Sequence, residues 1–306
     1  MSAPRGSAVA ADPPAGAGTQ DTYLTWLYVP GDRPAVVAKA LRSGADVVLV
    51  DLEDAVAPER KAYALAATAE LLAEPRPGPA PVHVRVNALS GPLADGELRT
   101  LAPLPGLAGL RLPKAGGRPD VLRAAAAVRE AATGGDGGPA GGVPPLYPLL
   151  ESALGIERAY EIATAHPAVR GIALGEADLR AELGVADDAG LAWPRGRAVV
   201  AARAAGLAPP AQSVYPDVAD LDGLARSCAA GRALGFLGRT ALHPRQLPVI
   251  DRAFLPTPAE VARAEEVVAA AAADAGALAL PDGRFVDAAV LAGARRTLRL
   301  AGRPAR

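Results

Sequence analysis

The chain has 306 residues, enough to bury a large core, with 32 basic side chains against 33 acidic ones and a pI near 6.3. That even balance excludes nucleic acid or an anionic membrane as expected partners, and 4% aromatic content leaves no stacking platform for bases. No apolar run approaches the ~18 residues that span a bilayer, and the single cysteine, Cys228, excludes an intramolecular disulfide and fits a reducing, cytoplasmic setting.

Residues 1–20 lack the apolar region of a secretory signal, and their Ala, Gly and Pro content reads as a disordered leader. Residues 21–255 then read as alternating strands and helices. The expected strands are WLYVP (Trp26–Pro30), DVVLVDL from Asp46, VHVRVN (Val82–Asn87), LRLPK (Leu110–Lys114), LYPLLE from Leu146, GIALGEAD (Gly171–Asp178), SVYPDV from Ser213, and TALHP (Thr240–Pro244). Helical patterns follow at Pro34–Ser43, Pro58–Glu74, Asp95–Leu104, Pro119–Ala132, Leu154–Ala165, near Asp178, at Arg197–Ala205 and at Leu221–Leu234. TGGDGGPAGGVPP, from Thr133, is a flexible connection, because its Gly and Pro content holds no regular element. Repeated strand–helix units imply a parallel sheet, and eight strands close a (β/α)8 TIM barrel. Residues 256–306 read as a helical extension outside it, of the sort that makes oligomer contacts.

Six of the strand-like runs end in charged residues, which places Asp51, Glu53, Asp54, Arg85, Lys114, Glu151, Asp178 and His243 at or just past strand ends. In a barrel those ends share one rim, where active sites sit. Glu151 and Asp178 are the first pair. Two carboxylates with several waters are the usual protein contribution to Mg²⁺, and three histidines with no i,i+4 pair do not make a zinc site. The competing reading makes these acids helix caps or ion-pair partners. Arg85 reads as a clamp on a substrate carboxylate or enolate oxygen, or as an internal ion pair with Asp51 or Glu53; the two are compatible. Asp51, Glu53 and Asp54 form an acidic cluster that needs Arg85, Lys114 or a metal to ionise fully.

Gly175 and Glu176 open a helix whose free N–H groups are placed to hold a carboxylate. Arg33, in the PGDRP turn, is exposed; a phosphate contact is the functional reading and a plain turn the default. His243 reads as structural, and Cys228 as inert core.

The segments YVPGDRP, VDLEDAV, VRVN, LPK, LLESALGIERA, LGEADLRAELG, AARAAG, GFLGRTALHP and FLPTPAEVARAEEVV occur in order. Together they resemble the citrate lyase beta-subunit-like branch of the HpcH/HpaI aldolase superfamily. The resemblance implies a TIM barrel, usually trimeric, that binds Mg²⁺ and cleaves or forms a C–C bond next to a thioester, with a 3-hydroxyacyl-CoA substrate such as malyl-, citramalyl- or citryl-CoA. It implies Glu151 and Asp178 as metal ligands and Arg85 as the substrate-binding arginine. It also implies that Asp287, in the C-terminal extension, is presented to a neighbouring subunit's active site as catalytic base, with Glu53 in reserve. Gly238-Arg239 stands where relatives commonly read GK, which bears on contacts to CoA phosphates. A 2-oxo acid aldolase acting on free acids and a lyase subunit acting on an acyl-carrier-protein thioester are the alternatives.

Overall fold

The computed structural model describes residues 23–133, 143–273, 278–280 and 283–303. The expected leader and most of the Gly-rich connection lie outside them. The strands are β1 Thr25–Pro30, β2 Val47–Asp51, β3 Val82–Arg85, β4 Leu107–Leu112, β5 Leu146–Leu150, β6 Ala173–Leu174 and β7 Arg239–Ala241. They form one parallel sheet in the order β6-β5-β4-β3-β2-β1-β7. Every residue of β2, Val-Val-Leu-Val-Asp, is buried, because a parallel strand inside a helical layer is covered on both faces.

The helices around the sheet are α1 Pro34–Ala40, α2 Lys61–Leu72, α3 Ala94–Leu101, α4 Arg118–Thr133, α5 Ala153–Glu157, α6 Ala159–Ala163, α7 Glu176–Leu183, α8 Ala192–Ala204, α9 Leu221–Ala233 and α10 Leu247–Phe254. The expected helix over Leu154–Ala165 is split at Arg158, whose non-helical backbone caps both halves. The short α10 was not anticipated; it follows a 3-10 turn capped by the His243 side chain.

The expected seventh strand is also corrected by the structure. SVYPDV forms no strand. Gln212 makes an isolated parallel bridge with Arg239, through Gln212 N–H to the Gly238 carbonyl and Thr240 N–H to the Gln212 carbonyl, both at 3.0 Å. On the other side Ser213 Oγ donates to the Leu174 carbonyl at the end of β6. A backbone bridge to β7 and a side-chain hydrogen bond to β6 thus close the barrel where a ladder was expected. The local reason is Pro216, which has no N–H to donate, followed by Asp217, which accepts from Ala219 N and Asp220 N and turns the chain. The fold is a (β/α)8 TIM barrel with a strand-seven position reduced to that bridge.

Beyond the barrel, α11 Pro258–Ala273 and α12 Ala288–Ala301 pack together, with the small antiparallel pair β8 Leu278–Ala279 and β9 Phe285–Val286. Ala264, Val267, Leu280, Val286 and Ala294 make a separate small core there. After α12, Arg303 pairs with Asp46 at 2.5 Å. Asp46 also accepts from Leu24 N and Thr25 N at the start of β1, so the chain end is tied to the barrel face opposite the strand termini.

Candidate active site

Parallel register puts Asp51, the last residue of β2, beside Arg85, the last of β3. Arg85 donates from Nε to Asp51 Oδ1 and from Nη2 to Oδ2, each at 2.7 Å, a bidentate pair. Its Nη1 lies 2.9 Å from Glu53 Oε2 and 3.2 Å from Asp54 Oδ2. Asp51 also accepts from Glu53 N at 2.9 Å and Ala55 N at 3.0 Å, which folds the acidic turn around it. Lys114 Nζ reaches Glu53 Oε1 at 3.0 Å. Burial pushes Glu53 above the usual carboxylate range against the pull of Arg85 and Lys114. Burial opposes the charge on Arg85, but hydrogen bonds to Asp51, with Tyr28 and Glu53 nearby, hold it above its ordinary value.

Glu151 follows β5. Its Oε2 accepts the Lys114 backbone N–H at 2.8 Å, and Lys114 adopts a left-handed backbone, φ 52°, to present it. The carboxylate lies against Gly175, where any Cβ would overlap Glu151 Oε1. Asp178 sits exposed in the first turn of α7. Burial and then Glu53 push the Glu151 carboxyl up to about 7, with Asp178 adding to the same effect. Among the described residues no group of three or more His, Cys, Asp or Glu is arranged for a metal. The donor set is therefore two carboxylates, one of them cradled by a glycine and crowded by other acids. That set suits a hard cation that keeps most of its waters, as Mg²⁺ does, and not zinc.

These groups line a cavity of about 910 Å³, together with Tyr28, Asp51, Asp54, Arg85 and Arg111. The structure thus brings Arg85, Glu151, Gly175 and Asp178 to one site. Glu53 touches Arg85 Nη1 at 2.9 Å but is not among the residues that line the cavity. Glu176 also lines the cavity, its carboxylate held by Arg195 at 2.8 and 2.6 Å; the N–H groups expected to hold a substrate carboxylate have partners within the chain, Gly175 N donating to the Leu150 carbonyl at 3.0 Å and Glu176 N to Ser213 Oγ at 3.3 Å. Asp188 joins the same network through Arg195 at 3.1 Å and through Arg180. Arg33 is exposed at the N-cap of α1 and does not line the cavity. Asp287 caps α12, accepting from Val290 N at 2.8 Å, and is likewise absent from the cavity wall of its own chain.

Two arginines, Arg195 and Arg111, escaped the sequence reading, and a third, Arg239, takes a place other than the one its GK position suggested. Arg239 is buried and donates to the Ser213 carbonyl and Ser227 Oγ, both at 2.9 Å, and to Gln212 Oε1 at 3.3 Å. It holds the strand-seven segment in place rather than meeting a phosphate, and its Nη1 lies 3.6 Å from Cys228 Sγ. Arg195 anchors Glu176, as above. Arg111, between two leucines of β4, stands in register with Arg85 on one side and Tyr147 on the other. Burial lowers its pKa. A cation between apolar neighbours inside a strand is the signal that could have found it, since it marks the inward face of an otherwise apolar run.

A family model described as HpcH/HpaI aldolase/citrate lyase matches residues 24–244. The chain is 34% identical over 286 residues to a (3S)-malyl-CoA thioesterase of Cereibacter sphaeroides, covering 90% of this chain and 93% of that one. It is 32% identical over 297 residues to the L-malyl-CoA/beta-methylmalyl-CoA lyase of Rhodobacter capsulatus, covering 86% and 89%. Among solved structures, the Mycobacterium tuberculosis CitE protein in complex with magnesium, acetoacetate and coenzyme A is similar, with a TM-score of 0.76, 32% identity, and coverage of 92% of this chain and 99% of that one.

Proposed function

Because this chain belongs to the HpcH/HpaI aldolase/citrate lyase family, we propose that it is a Mg²⁺-dependent carbon–carbon lyase acting on a 3-hydroxyacyl-CoA thioester of the malyl, citramalyl or citryl type. The observation that carries this reading is the Glu151–Asp178 carboxylate pair beside the Asp51–Arg85 cluster in one cavity. A relative named as a malyl-CoA lyase and a structural neighbour crystallised with magnesium and coenzyme A support it.

Glu151 and Asp178 are the residues that would hold the ion, and the bound ion supplies Lewis-acid stabilisation of negative charge developing on substrate oxygens. The chain's own residues do the rest. Gly175 leaves room for the Glu151 carboxylate to sit at the rim. Arg85 keeps a fixed positive charge at the strand ends and orders the turn that carries Asp51, Glu53 and Asp54. Preorganised charge of that kind accelerates a step in which charge appears only in the transition state. A carboxylate base removes the proton from the 3-hydroxyl oxygen, the bond between C2 and C3 breaks to give a 2-oxo acid and an acyl-CoA enolate, and the enolate takes a proton at C2 to become the acyl-CoA. Asp287 is the proposed base. Since it does not line its own chain's cavity, this assignment requires a second copy of the chain to present it, in keeping with an oligomer, trimeric by the resemblance. Glu53 is the reserve. No helix among the described residues is long and apolar enough to cross a membrane.

Hydrolysis of the thioester is the second reading, favoured by the relative named as a thioesterase. A product assay separates the two. Purified protein is offered malyl-, citramalyl- and citryl-CoA with Mg²⁺ or with EDTA. Metal-dependent release of acyl-CoA and a 2-oxo acid is expected. Free CoA with an intact hydroxy acid would instead assign hydrolysis. No reaction with any of the thioesters would overturn the CoA reading and leave a carrier-protein thioester or free-acid aldol chemistry.

A further inference from the structure

Glu176 and Arg195 are buried charges that the proposed reaction does not use; they are 9% and 7% exposed. Glu176 opens α7, and Arg195 lies near the start of α8. The guanidinium meets the carboxylate edge to edge, Nε on Oε1 at 2.8 Å and Nη2 on Oε2 at 2.6 Å. Its Nη1 turns to Asp188 Oδ2 at 3.1 Å, and Arg180 pairs with the other oxygen of Asp188. One guanidinium thus joins the first residue of α7, the segment that follows α7, and α8.

Asp178 lies two residues beyond Glu176 in the same turn. Its carboxylate has no hydrogen bond or ion pair among the described residues, so the helix alone sets its direction. Successive helical residues are ~100° apart, so Glu176 and Asp178 leave the turn in different directions, and a grip on one orients the other. The backbone ties, Gly175 N to the Leu150 carbonyl and Glu176 N to Ser213 Oγ, lie at the very start of the helix. The fork on Glu176 is the tie that resists a twist of the turn about its axis.

Stability does not account for the pair. Two charges taken out of water stabilise weakly at best, and apolar side chains of similar volume commonly serve as well or better. An apolar contact has no preferred direction, whereas a planar fork on a carboxylate has one. We infer that Arg195 is a positioning residue for the metal site: its grip on Glu176 sets the first turn of α7 so that Asp178 is offered to the ion together with Glu151. The inference rests on the metal-dependent reading for the ion, and on the Glu176–Arg195–Asp188 network for the residue. Mg²⁺ demands near-ideal octahedral geometry, so a small rotation of one of two protein ligands weakens its binding.

The test measures Mg²⁺ affinity by calorimetry, and melting temperature without metal, on the full chain. The deciding variant replaces both partners, Glu176→Leu with Arg195→Met. It leaves the net charge near the ion unchanged and no buried charge alone. It should melt near or above the wild type, yet bind Mg²⁺ ~10- to 100-fold more weakly, the usual cost of losing a group that orients a metal ligand. Arg195→Met alone should melt well below the wild type, because Glu176 is then buried without its cation. Arg195→Lys keeps the charge and loses the fork, so it should recover melting temperature but little metal affinity. In an Asp178→Asn background the paired replacement should weaken Mg²⁺ binding no further, because the ligand it positions is already gone. The Mg²⁺ concentration for half-maximal turnover should rise by the same factor as the dissociation constant.

Wild-type Mg²⁺ affinity in the paired variant would overturn the inference. So would a large loss of its melting temperature, or a loss of affinity that persists in full in the Asp178→Asn background. If Asp178→Asn weakens Mg²⁺ binding and the paired replacement does not, only the inference fails. If Mg²⁺ binding responds as described but no thioester is processed, the lyase reading fails and the Arg195 assignment stands. A wild type that binds no Mg²⁺, or binds it equally well with Asp178→Asn, overturns both the metal reading and the inference.

Discussion

The Glu151 carboxylate occupies the space that a side chain at Gly175 would need. One residue thus sets the position of the other without any bond between them. Gly175→Ala should displace Glu151 and lower Mg²⁺ affinity by ~10-fold or more, the scale of a 1–3 kcal/mol overpacking penalty. Calorimetric titration of Mg²⁺ reads this directly. Unchanged affinity would mean that Glu151 has no part in holding the ion.

The Asp51–Arg85 pair is buried and bidentate. Arg85→Met should cost about 3–5 kcal/mol, since it leaves carboxylates without their cation. The loss should depend on pH. Glu53 is already pushed up by burial and held back by Arg85. Without the arginine, the folded protein keeps a proton that the unfolded chain has released, so stability falls as pH rises through the carboxylate range. Denaturant titrations at pH 5 and pH 8 compare the two conditions; a pH-independent cost would contradict this account.

His83 is buried and neutral, with a pKa of about 3 against an ordinary 6.5. The unfolded chain therefore binds a proton that the folded one refuses between those values. The stability contributed is present above pH 6.5 and is lost as pH falls toward 3, by on the order of 5 kcal/mol. His83→Phe keeps the stack on Tyr147 and removes the titration, so its melting temperature should fall less steeply over that window. Parallel melting curves for the two proteins would rule the idea out.

Asp287 both caps α12 and is the proposed base. Asn is as good an N-cap as Asp, so Asp287→Asn should leave the melting temperature and Mg²⁺ binding nearly unchanged while abolishing turnover. Undiminished turnover would move the base to Glu53. Asp287→Ala should lose about 1 kcal/mol of stability as well.

Much of this architecture was legible in the chain. Val-rich runs such as Val47–Val50 can only be strands buried on both faces, and the charges placed after them had to gather on one rim once the strands were parallel. Asp51, Arg85, Glu151 and Asp178 were found that way. Hydrophobic pattern says nothing about which charge meets which, since an ion pair spans tens of residues and depends on register. The sequence alone therefore left Arg85 equally fit for a substrate or for Asp51, and left Glu176 in the site without revealing Arg195. Arg111 was hidden for the same reason: only the barrel shows that it lines the cavity, with no ion-pair partner among the described residues. Ser213–Val218 reads as a strand by composition, yet a single backbone bridge at Gln212 and side-chain hydrogen bonds donated by Ser213 and Arg239 close the barrel there. Apolar periodicity determines where strands lie, because burial is additive along the chain; charge compensation is settled only in three dimensions, because it depends on distance and on what water can no longer reach.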